Sequence, residues 1–368
     1  MKIGILTHYY KSTNYGGNLQ AYALVRFLRE NGFEAEQVCY QRFNDYLFGI
    51  NPVSDDGLTE KAKRAVNLVR KYSIHKRERS VLRFNQNVIP HSSAVYSKDT
   101  LMEIGRNYDA LITGSDQVWH PMAVCDAYLL NFPTTAKKIS YAASFAVEDV
   151  DDRVAEYYRS CLECFDAISV RERKGQELIR KICGRESELV LDPTLLLSRA
   201  AWETIIEERA VQEPYLFCYF LDNDPDRRDL AERLARSKGL EIVSMPYLSG
   251  KNRADKHIGK YRFFDVSPGQ LLYLIQHANL VLTDSFHITV FSILFEKEFF
   301  SLDRGKMGSR IQTLIDYFGL GNRFCNSPEK KTIEYMNAIS KSDRYTLNTR
   351  FEDLKNQSKE YLITNLTR

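Results

Sequence analysis

His287 follows the run Leu280-Val281-Leu282-Thr283-Asp284-Ser285-Phe286 and precedes Ile288-Thr289-Val290-Phe291. That order reads as a buried parallel strand, a capping turn and the start of a buried helix. In an open α/β sheet, ligands bind outside the carboxyl ends of the strands. A helix N-terminus there also offers N–H groups and a partial positive charge, which favour an anion. A histidine in that position has its pKa pulled toward or below neutrality, which suits proton transfer beside a phosphate. On this residue alone, a plain hydrogen bond from His287 to a loop carbonyl is an equally open reading.

Other segments repeat the pattern. Ala110-Leu111-Ile112-Thr113-Gly114-Ser115-Asp116 is a buried strand running into a glycine turn and a Ser-Asp pair. Asp116 is there either a helix N-cap or a carboxylate facing a cleft, with Ser115 beside it. Arg171, at the end of Ile168-Ser169-Val170, is placed to clamp a carboxylate or phosphate with two parallel hydrogen bonds, or else to pair with Glu172 or Asp166. Asp303-Arg304-Gly305-Lys306-Met307-Gly308-Ser309-Arg310 brings three cations and two glycines to the start of a helix, a composition suited to cradling an anion. Its spacing is neither a Walker A loop nor a dinucleotide fingerprint. Asn14-Tyr15-Gly16-Gly17-Asn18 forms a tight turn, or lets a ligand approach the backbone. GxSxG is absent, so a nucleophile-elbow hydrolase is not supported. No cluster has metal-ligand spacing, and no metal is expected.

The elements that must hold these residues alternate along the chain. Strands are predicted over Ile3–Thr7, Glu36–Tyr40, Ala110–Thr113, Lys138–Ala142, Ala167–Val170 and Glu188–Leu191. A second series follows at Tyr215–Leu221, 240–244, 279–283 and 298–302. Helices are predicted over 151–164, 173–182, 226–238, 267–277, 288–296 and 309–318, with an earlier one carrying Ala21, Leu24, Val25 and Leu28 at helical spacing. The fold class is therefore α/β, with two doubly wound Rossmann-like halves and a cleft expected between them. The halves are divided as 1–200 and 201–330, with 331–368 as a helical tail that packs back on the first domain.

Between about 41 and 108 lies an insertion with a basic helical core: Lys61, Lys63, Arg64, Arg70, Lys71, Lys76, Arg77, Arg79 and Arg83. A solvated helical face is one reading, and a surface for anionic lipid or a lipid-linked substrate is the other. No nucleic-acid motif accompanies the patch, and a net charge of +3 does not argue for nucleic acid. Seven cysteines, odd in number and scattered, suit a reducing compartment. Cys161 and Cys164 form a lone CxxC within a helix, where packing outweighs zinc binding. The first strand is too short an apolar run for a signal peptide, and no segment reaches membrane-spanning length. A cytoplasmic protein is expected, at the inner face of the membrane if the basic insertion meets lipid.

Taken together, six segments resemble the polysaccharide pyruvyl transferase family. They are Asn14-Tyr15-Gly16-Gly17 with Leu19-Gln20-Ala21-Tyr22-Ala23-Leu24, Gly114-Ser115-Asp116-Gln117-Val118-Trp119, Ser140-Tyr141-Ala142-Ala143-Ser144-Phe145, Ser169-Val170-Arg171-Glu172, Asp192-Pro193-Thr194-Leu195-Leu196, and Thr283-Asp284-Ser285-Phe286-His287. The resemblance runs in order from about residue 3 to 325. It implies a glycosyltransferase-B-like pair of domains, phosphoenolpyruvate as co-substrate with no further cofactor, and a sugar acceptor in a surface polysaccharide or its lipid-linked precursor. It makes His287 the catalytic histidine and Arg171 a donor-holding arginine. Some members carry an arginine and a leucine where Ser285 and Phe286 stand here, which moves the anion-binding duty toward Arg304, Lys306 or Arg310. Asp116 is then the candidate to accept a sugar hydroxyl's proton. The competing expectations are a glycosyltransferase using a nucleotide sugar on the same fold, and a non-catalytic polysaccharide-binding relative.

Overall fold

A computed structural model describes residues 1–42, 76–246, 255, 258–303, 309–325, 334–337 and 349–368. Among these the chain forms two compact units. One holds residues 1–42, 82–197 and 352–368, and the other begins again at Ser198 and also takes in residues 76–81.

Unit 1 opens with β1 (Lys2–Leu6), α1 (Tyr15–Glu30) and β2 (Glu34–Tyr40). Helical residues 76–87 (α2) lead into β3 (His91–Tyr96), α3 (Leu101–Asn107), β4 (Ala110–Thr113) and β5 (Lys137–Ser140). After α4 (Asp152–Leu162) come β6 (Ser169–Val170), α5 (Arg173–Cys183) and β7 (Glu188–Leu189). The main sheet runs β3-β2-β1-β4-β5, all parallel. Parallel bridges from Ile139 to Ala167 and from Ala143 to Val170 continue it outward to β6, which pairs β7. This is the Rossmann order, and its switch point lies between β1 and β4.

Unit 2 repeats that plan. It runs through α6 (Arg199–Glu203), β8 (Tyr215–Tyr219), α7 (Pro225–Lys238), β9 (Glu241–Ser244), β10 (Tyr261–Arg262), α8 (Pro268–His277), β11 (Leu280–Thr283), α9 (Phe286–Leu294), β12 (Phe299–Leu302), α10 (Ser309–Phe318) and β13 (Phe324–Cys325). The sheet order is β10-β9-β8-β11-β12-β13, again wholly parallel, with the switch point between β8 and β11. Strands such as Leu280–Thr283 and Tyr215–Tyr219 are buried at every residue, as expected for strands covered on both faces.

Two expectations change. The segment 41–108 is not one insertion, because β3 and α3 lie inside it and β3 pairs β2 in the unit 1 sheet. Of its basic residues, Lys61, Lys63, Arg64, Arg70 and Lys71 lie outside the described residues. No helix follows Asp116, so that residue is not an N-cap; the chain there stays in a turn that bridges to Ala143.

The last helix, α11 (Thr349–Thr367), clusters with unit 1 from Glu352 onward. Tyr361 donates its hydroxyl to the Ser140 carbonyl at 3.0 Å, and Ser358 Oγ accepts from the Leu191 N–H at 2.9 Å. Leu362 is fully buried. Leu362→Ala removes three buried carbons and is expected to cost about 2–5 kcal/mol in denaturant unfolding. A cost below about 1 kcal/mol would show that the helix contributes little to unit 1.

Candidate functional site

In unit 1 the site is built where β1 and β4 diverge. β1 ends at Leu6, and Thr7 Oγ1 donates to the Ser115 carbonyl at 2.6 Å, tying the two strand ends together. The α1 loop returns to the same place. Asn14 caps α1, its Oδ1 accepting from the Gly17 N–H at 3.2 Å. Gly17 is required by its neighbours: a Cβ there would lie 2.9 Å from the His8 carbonyl oxygen and 3.2 Å from Asp116 Oδ2. Gly16 and Asn18 are buried behind it. Asn18 spends its amide on the Ser12 and Asn14 carbonyls and accepts from Asn85, so it serves the loop's shape.

Asp116 adopts φ +82°, a left-handed conformation that costs a non-glycine residue about 1–3 kcal/mol. Ala142 and Ala146, both at φ +54°, share that feature in the adjoining segment. The surroundings hold the strained turn in place. Ser144 N–H donates to the Asp116 carbonyl at 3.0 Å, and Trp119 N–H to the Ser144 carbonyl at 3.2 Å. Trp119 is fully buried, with its ring centroid 5.4 Å from that of Phe145. Asp116 Oδ1 accepts from the Gln117 N–H at 2.9 Å.

Arg171 leaves the carboxyl end of β6 and is buried, its side chain only 1% exposed. Its Nη1 donates to Asp192 Oδ2 at 2.9 Å and to Ser115 Oγ at 3.2 Å, and Ser115 Oγ donates to Asp192 Oδ2 at 3.0 Å. Nη2 lies 3.6 Å from Asp116 Oδ1, and Nε lies 3.8 Å from Glu172 Oε2. Asp192 Oδ1 accepts from Thr194 N and Oγ1. Arg171 therefore meets three carboxylates inside the domain, and its partner is Asp192 and not Asp166, which accepts from Lys138 N–H. Such a group helps to fix the position of Asp116.

His8 completes this half. It is half-buried, its Nε2 lies 2.9 Å from Arg42 Nη1, and its ring meets Tyr128 edge-on at 4.6 Å. Burial and the Arg42 charge lower its pKa to about 4, against a smaller opposing pull from Asp116, and His120 adds to the lowering. The imidazole is neutral at pH 7.

In unit 2 the corresponding place is the end of β11. Asp284 is buried, accepting from the Leu221 N–H at 2.8 Å and from Arg227 Nη1 at 2.8 Å. Arg227 Nη2 also donates to the Asp303 carbonyl at 2.6 Å, joining the β11 turn to the β12 turn. Ser285 occupies the N-cap of α9, but its side chain makes no capping bond. His287 is the second residue of α9 and is half-buried, so the helix starts two residues earlier than its apolar run predicts. Arg310, in the first turn of α10, is buried, and α10 packs against α9. Arg304 and Lys306 lie outside the described residues. Arg77 of α2 donates to Tyr219 Oη at 3.1 Å, at the carboxyl end of β8, and to the Pro246 carbonyl at 3.2 Å.

The structure thus brings Asn14, Gly17, Ser115, Asp116 and Arg171 together in unit 1, and Ser285, His287 and Arg310 to one end of the sheet in unit 2. Sequence reasoning missed His8, Arg42, Asp192 as the partner of Arg171, and Arg227. The one available signal was position: His8 stands just past the end of β1, as His287 stands past β11. Among the described residues, no group of His, Cys, Asp and Glu is placed to hold a metal, and no helix is long and apolar enough to cross a membrane.

Two Rossmann-like α/β domains, each with candidate site residues at its switch point, define a protein of the glycosyltransferase-B fold class. The same fold is found in UDP-GlcNAc 2-epimerases. That of Methanocaldococcus jannaschii is 13% identical with a TM-score of 0.57, covering 100% of this chain and 99% of that one. That of Neisseria meningitidis, solved bound to UDP-GlcNAc, is 11% identical with a TM-score of 0.57, covering 100% of both chains. That of Rickettsia bellii is 11% identical with a TM-score of 0.54, covering 99% and 95%. At such identities the likeness is one of fold alone. No curated protein matches the sequence. The profile of the polysaccharide pyruvyl transferase family matches residues 14–306, and the chain belongs to that family.

Two outcomes test the unit 1 cluster. Arg171→Met leaves Asp192 buried without its cation and is expected to cost about 3–5 kcal/mol in urea unfolding. A variant of wild-type stability would refute the structural role and leave Arg171 as a ligand contact only. His8 is depressed in the folded state, so the unfolded chain binds the proton first on acidification. The stability His8 contributes is complete above pH 6.5 and is lost as the pH falls toward about 4. His8→Asn should flatten the stability profile across that window, and an unchanged slope would contradict the assignment.

Proposed function

We propose that the protein transfers the enolpyruvyl group of phosphoenolpyruvate onto a sugar of a surface polysaccharide or its lipid-linked precursor, forming a pyruvate ketal and releasing phosphate. One observation carries this reading. The family segments that hold Asp116, Arg171 and His287 all lie at carboxyl ends of parallel strands, and Asp116 and His287 each follow a strand that borders a switch point. Strand ends at a switch point are where an open α/β sheet binds ligands.

The reaction needs a proton at the methylene carbon, an acceptor for hydroxyl protons, and support for a leaving trianion. Protonation of that carbon makes a methyl group and an oxocarbenium-like centre at C2. A first sugar hydroxyl attacks C2, phosphate departs with the C2–O bond pair, and a second hydroxyl closes the ketal. Of the two hydroxyl protons displaced, one balances the proton taken up by carbon and the other leaves with phosphate. His287, on the first turn of α9, is assigned the proton delivered to carbon. Asp116, anionic and fixed by Arg171, is assigned the hydroxyl proton. Arg310 and the N-termini of α9 and α10 are assigned the phosphate, with Arg304 and Lys306 as further cations. Arg171 acts on the acceptor through Asp116 in this reading, since its own contacts are internal carboxylates. In this reading the cations Arg79 and Arg83 would meet an anionic membrane surface carrying the acceptor, with the protein working at the inner face of the cell membrane.

His287→Ala is expected to lower phosphate release from phosphoenolpyruvate, with acceptor present, by roughly two to four orders of magnitude. Phosphoenolpyruvate at about a hundred times its dissociation constant should stabilise the wild-type chain by about 2.7 kcal/mol in thermal unfolding. Stabilisation by a nucleotide sugar alone, or a His287→Ala variant of wild-type rate, would overturn the proposal.

A further inference from the structure

A second opening in unit 1 lies at the other end of β6 from Arg171. Residues 166–168 lead into β6 and residues 185–188 lead into β7, and together they face the C-terminal turns of α11 across a cavity of about 460 Å³. That size is within the range of small-molecule sites. On the helix wall, Gln357, Glu360, Thr364 and Asn365 follow one another at helical spacing, with Arg368 just past the end of α11.

Both walls are held from outside the cavity. Arg185 Nη1 donates to the carbonyls of Leu162, Glu163 and Phe165 at 2.7, 3.3 and 2.6 Å, at the end of α4. Asp166 Oδ2 accepts from the Lys138 N–H at 2.7 Å, and Glu186 takes Arg180 on both oxygens, at 3.0 and 2.6 Å. The helix is pinned at Ser358 and Tyr361, and again at Asn365, whose carbonyl accepts from Lys137 Nζ at 3.0 Å. The space between the walls is therefore preformed.

Across that space the walls scarcely meet. Among the described residues one direct hydrogen bond joins them, from Gln357 Nε2 to Glu188 Oε2 at 3.5 Å. Arg185 and Arg368 line the same cavity as Glu188 and Glu360, yet no ion pair forms between these cations and these carboxylates. Ser187 Oγ, on the strand wall, is shielded from water and has no hydrogen-bond partner among the described residues. Charges of both signs thus border one opening with hydrogen-bonding capacity left over.

That combination selects its guest. An anion would meet Glu188 and Glu360, and a cation would meet Arg185 and Arg368. A sugar hydroxyl can donate to a carboxylate and accept from a guanidinium at once, and it carries no charge to oppose either. An amino-acid zwitterion offers each charge only once, whereas a polyol offers such groups all round its ring.

We propose that this groove is a second saccharide-binding site, which holds a neutral sugar of the glycan substrate away from the place of transfer. Asp116 and Arg171 lie at carboxyl ends of strands and the groove lies at the amino ends of β6 and β7, so the two places are at opposite ends of the unit 1 sheet. The inference rests on the acceptor class of the function proposed above and not on the identity of the donor.

The test uses the full chain and saturation-transfer NMR titrations with cellobiose, lactose and N,N′-diacetylchitobiose, with glycine as the zwitterionic control. Glu360→Ala combined with Arg368→Ala alters two exposed residues and leaves the net charge unchanged. At least one disaccharide should bind the wild type. The double variant, checked for an unchanged melting temperature, should bind it about tenfold more weakly, the scale of a charge-assisted hydrogen bond. The same loss should appear in an Asp116→Ala background, which separates the groove from the place of transfer. Equal disaccharide affinity in the wild type and the double variant overturns the proposal, as does binding of glycine alone or failure of every disaccharide to bind. If the groove behaves as expected and phosphoenolpyruvate does not stabilise the chain, the pyruvyl transfer reading fails and the groove stands. If phosphoenolpyruvate stabilises the chain and the disaccharides ignore the groove, the groove alone fails.

Discussion

The buried guanidinium of Arg171 is the constraint on which unit 1 turns. Placing an arginine at 1% side-chain exposure is costly unless its charge is matched and its hydrogen bonds are met. Asp192 supplies the match at 2.9 Å, and Ser115 bridges the two. Three chain segments distant in sequence are thereby fixed to one another: the end of β4, the end of β6 and the turn that carries Asp192. Asp116 sits at the edge of that cluster, 3.6 Å from the same guanidinium. Its left-handed backbone is tolerated because the cluster and the bridge to Ala143 leave it little else to adopt.

Unit 2 solves the same problem with different residues. Asp284 is buried at the end of β11 and is matched by Arg227, which arrives from the first turn of α7. Arg227 also reaches Asp222 and the Asp303 carbonyl, so one cation joins the loops after β8, β11 and β12. In both units a buried aspartate is matched by an arginine from another element, and the pair ties together loops at the carboxyl ends of strands. A Rossmann order needs such ties, since strand ends at the switch point diverge and neighbouring loops otherwise lack shared contacts.

How much of this was legible in the sequence follows from the same physics. Buried parallel strands write themselves as apolar runs, so Ala110–Thr113 was readable to the residue and Leu280–Thr283 nearly so. β3 was not, because it is an edge strand with three exposed residues in His91-Ser92-Ser93-Ala94-Val95-Tyr96. β10 and β13 are two residues long and leave no periodic signal. Ser115-Asp116 looked like a helix cap, since Ser and Asp favour caps, and nothing local signals a positive φ. The Arg171–Asp192 pair spans 21 residues and is a property of the fold. His8 had the same positional signal as His287, but no helix start followed it closely to mark it out.

Arg310 shows why local conflict is informative at the remaining part of the site. It is the second residue of α10, where the helix dipole presents its positive end. A cation there is opposed by that field, by a few tenths of a kcal/mol to about 1 kcal/mol, and the opposition grows with burial. Arg310 is only 7% exposed. The same residue in the last turn would gain from the dipole instead. A chain selected for helix stability alone would place an aspartate or serine in this turn. An anion drawn to the N-terminus of α10 reverses the sign of the effect, because the dipole and the guanidinium then attract one ligand together. Under the function proposed above, the donor phosphate is the ligand that would take this place in unit 2, where Ser285 and Phe286 precede His287 without an arginine of their own.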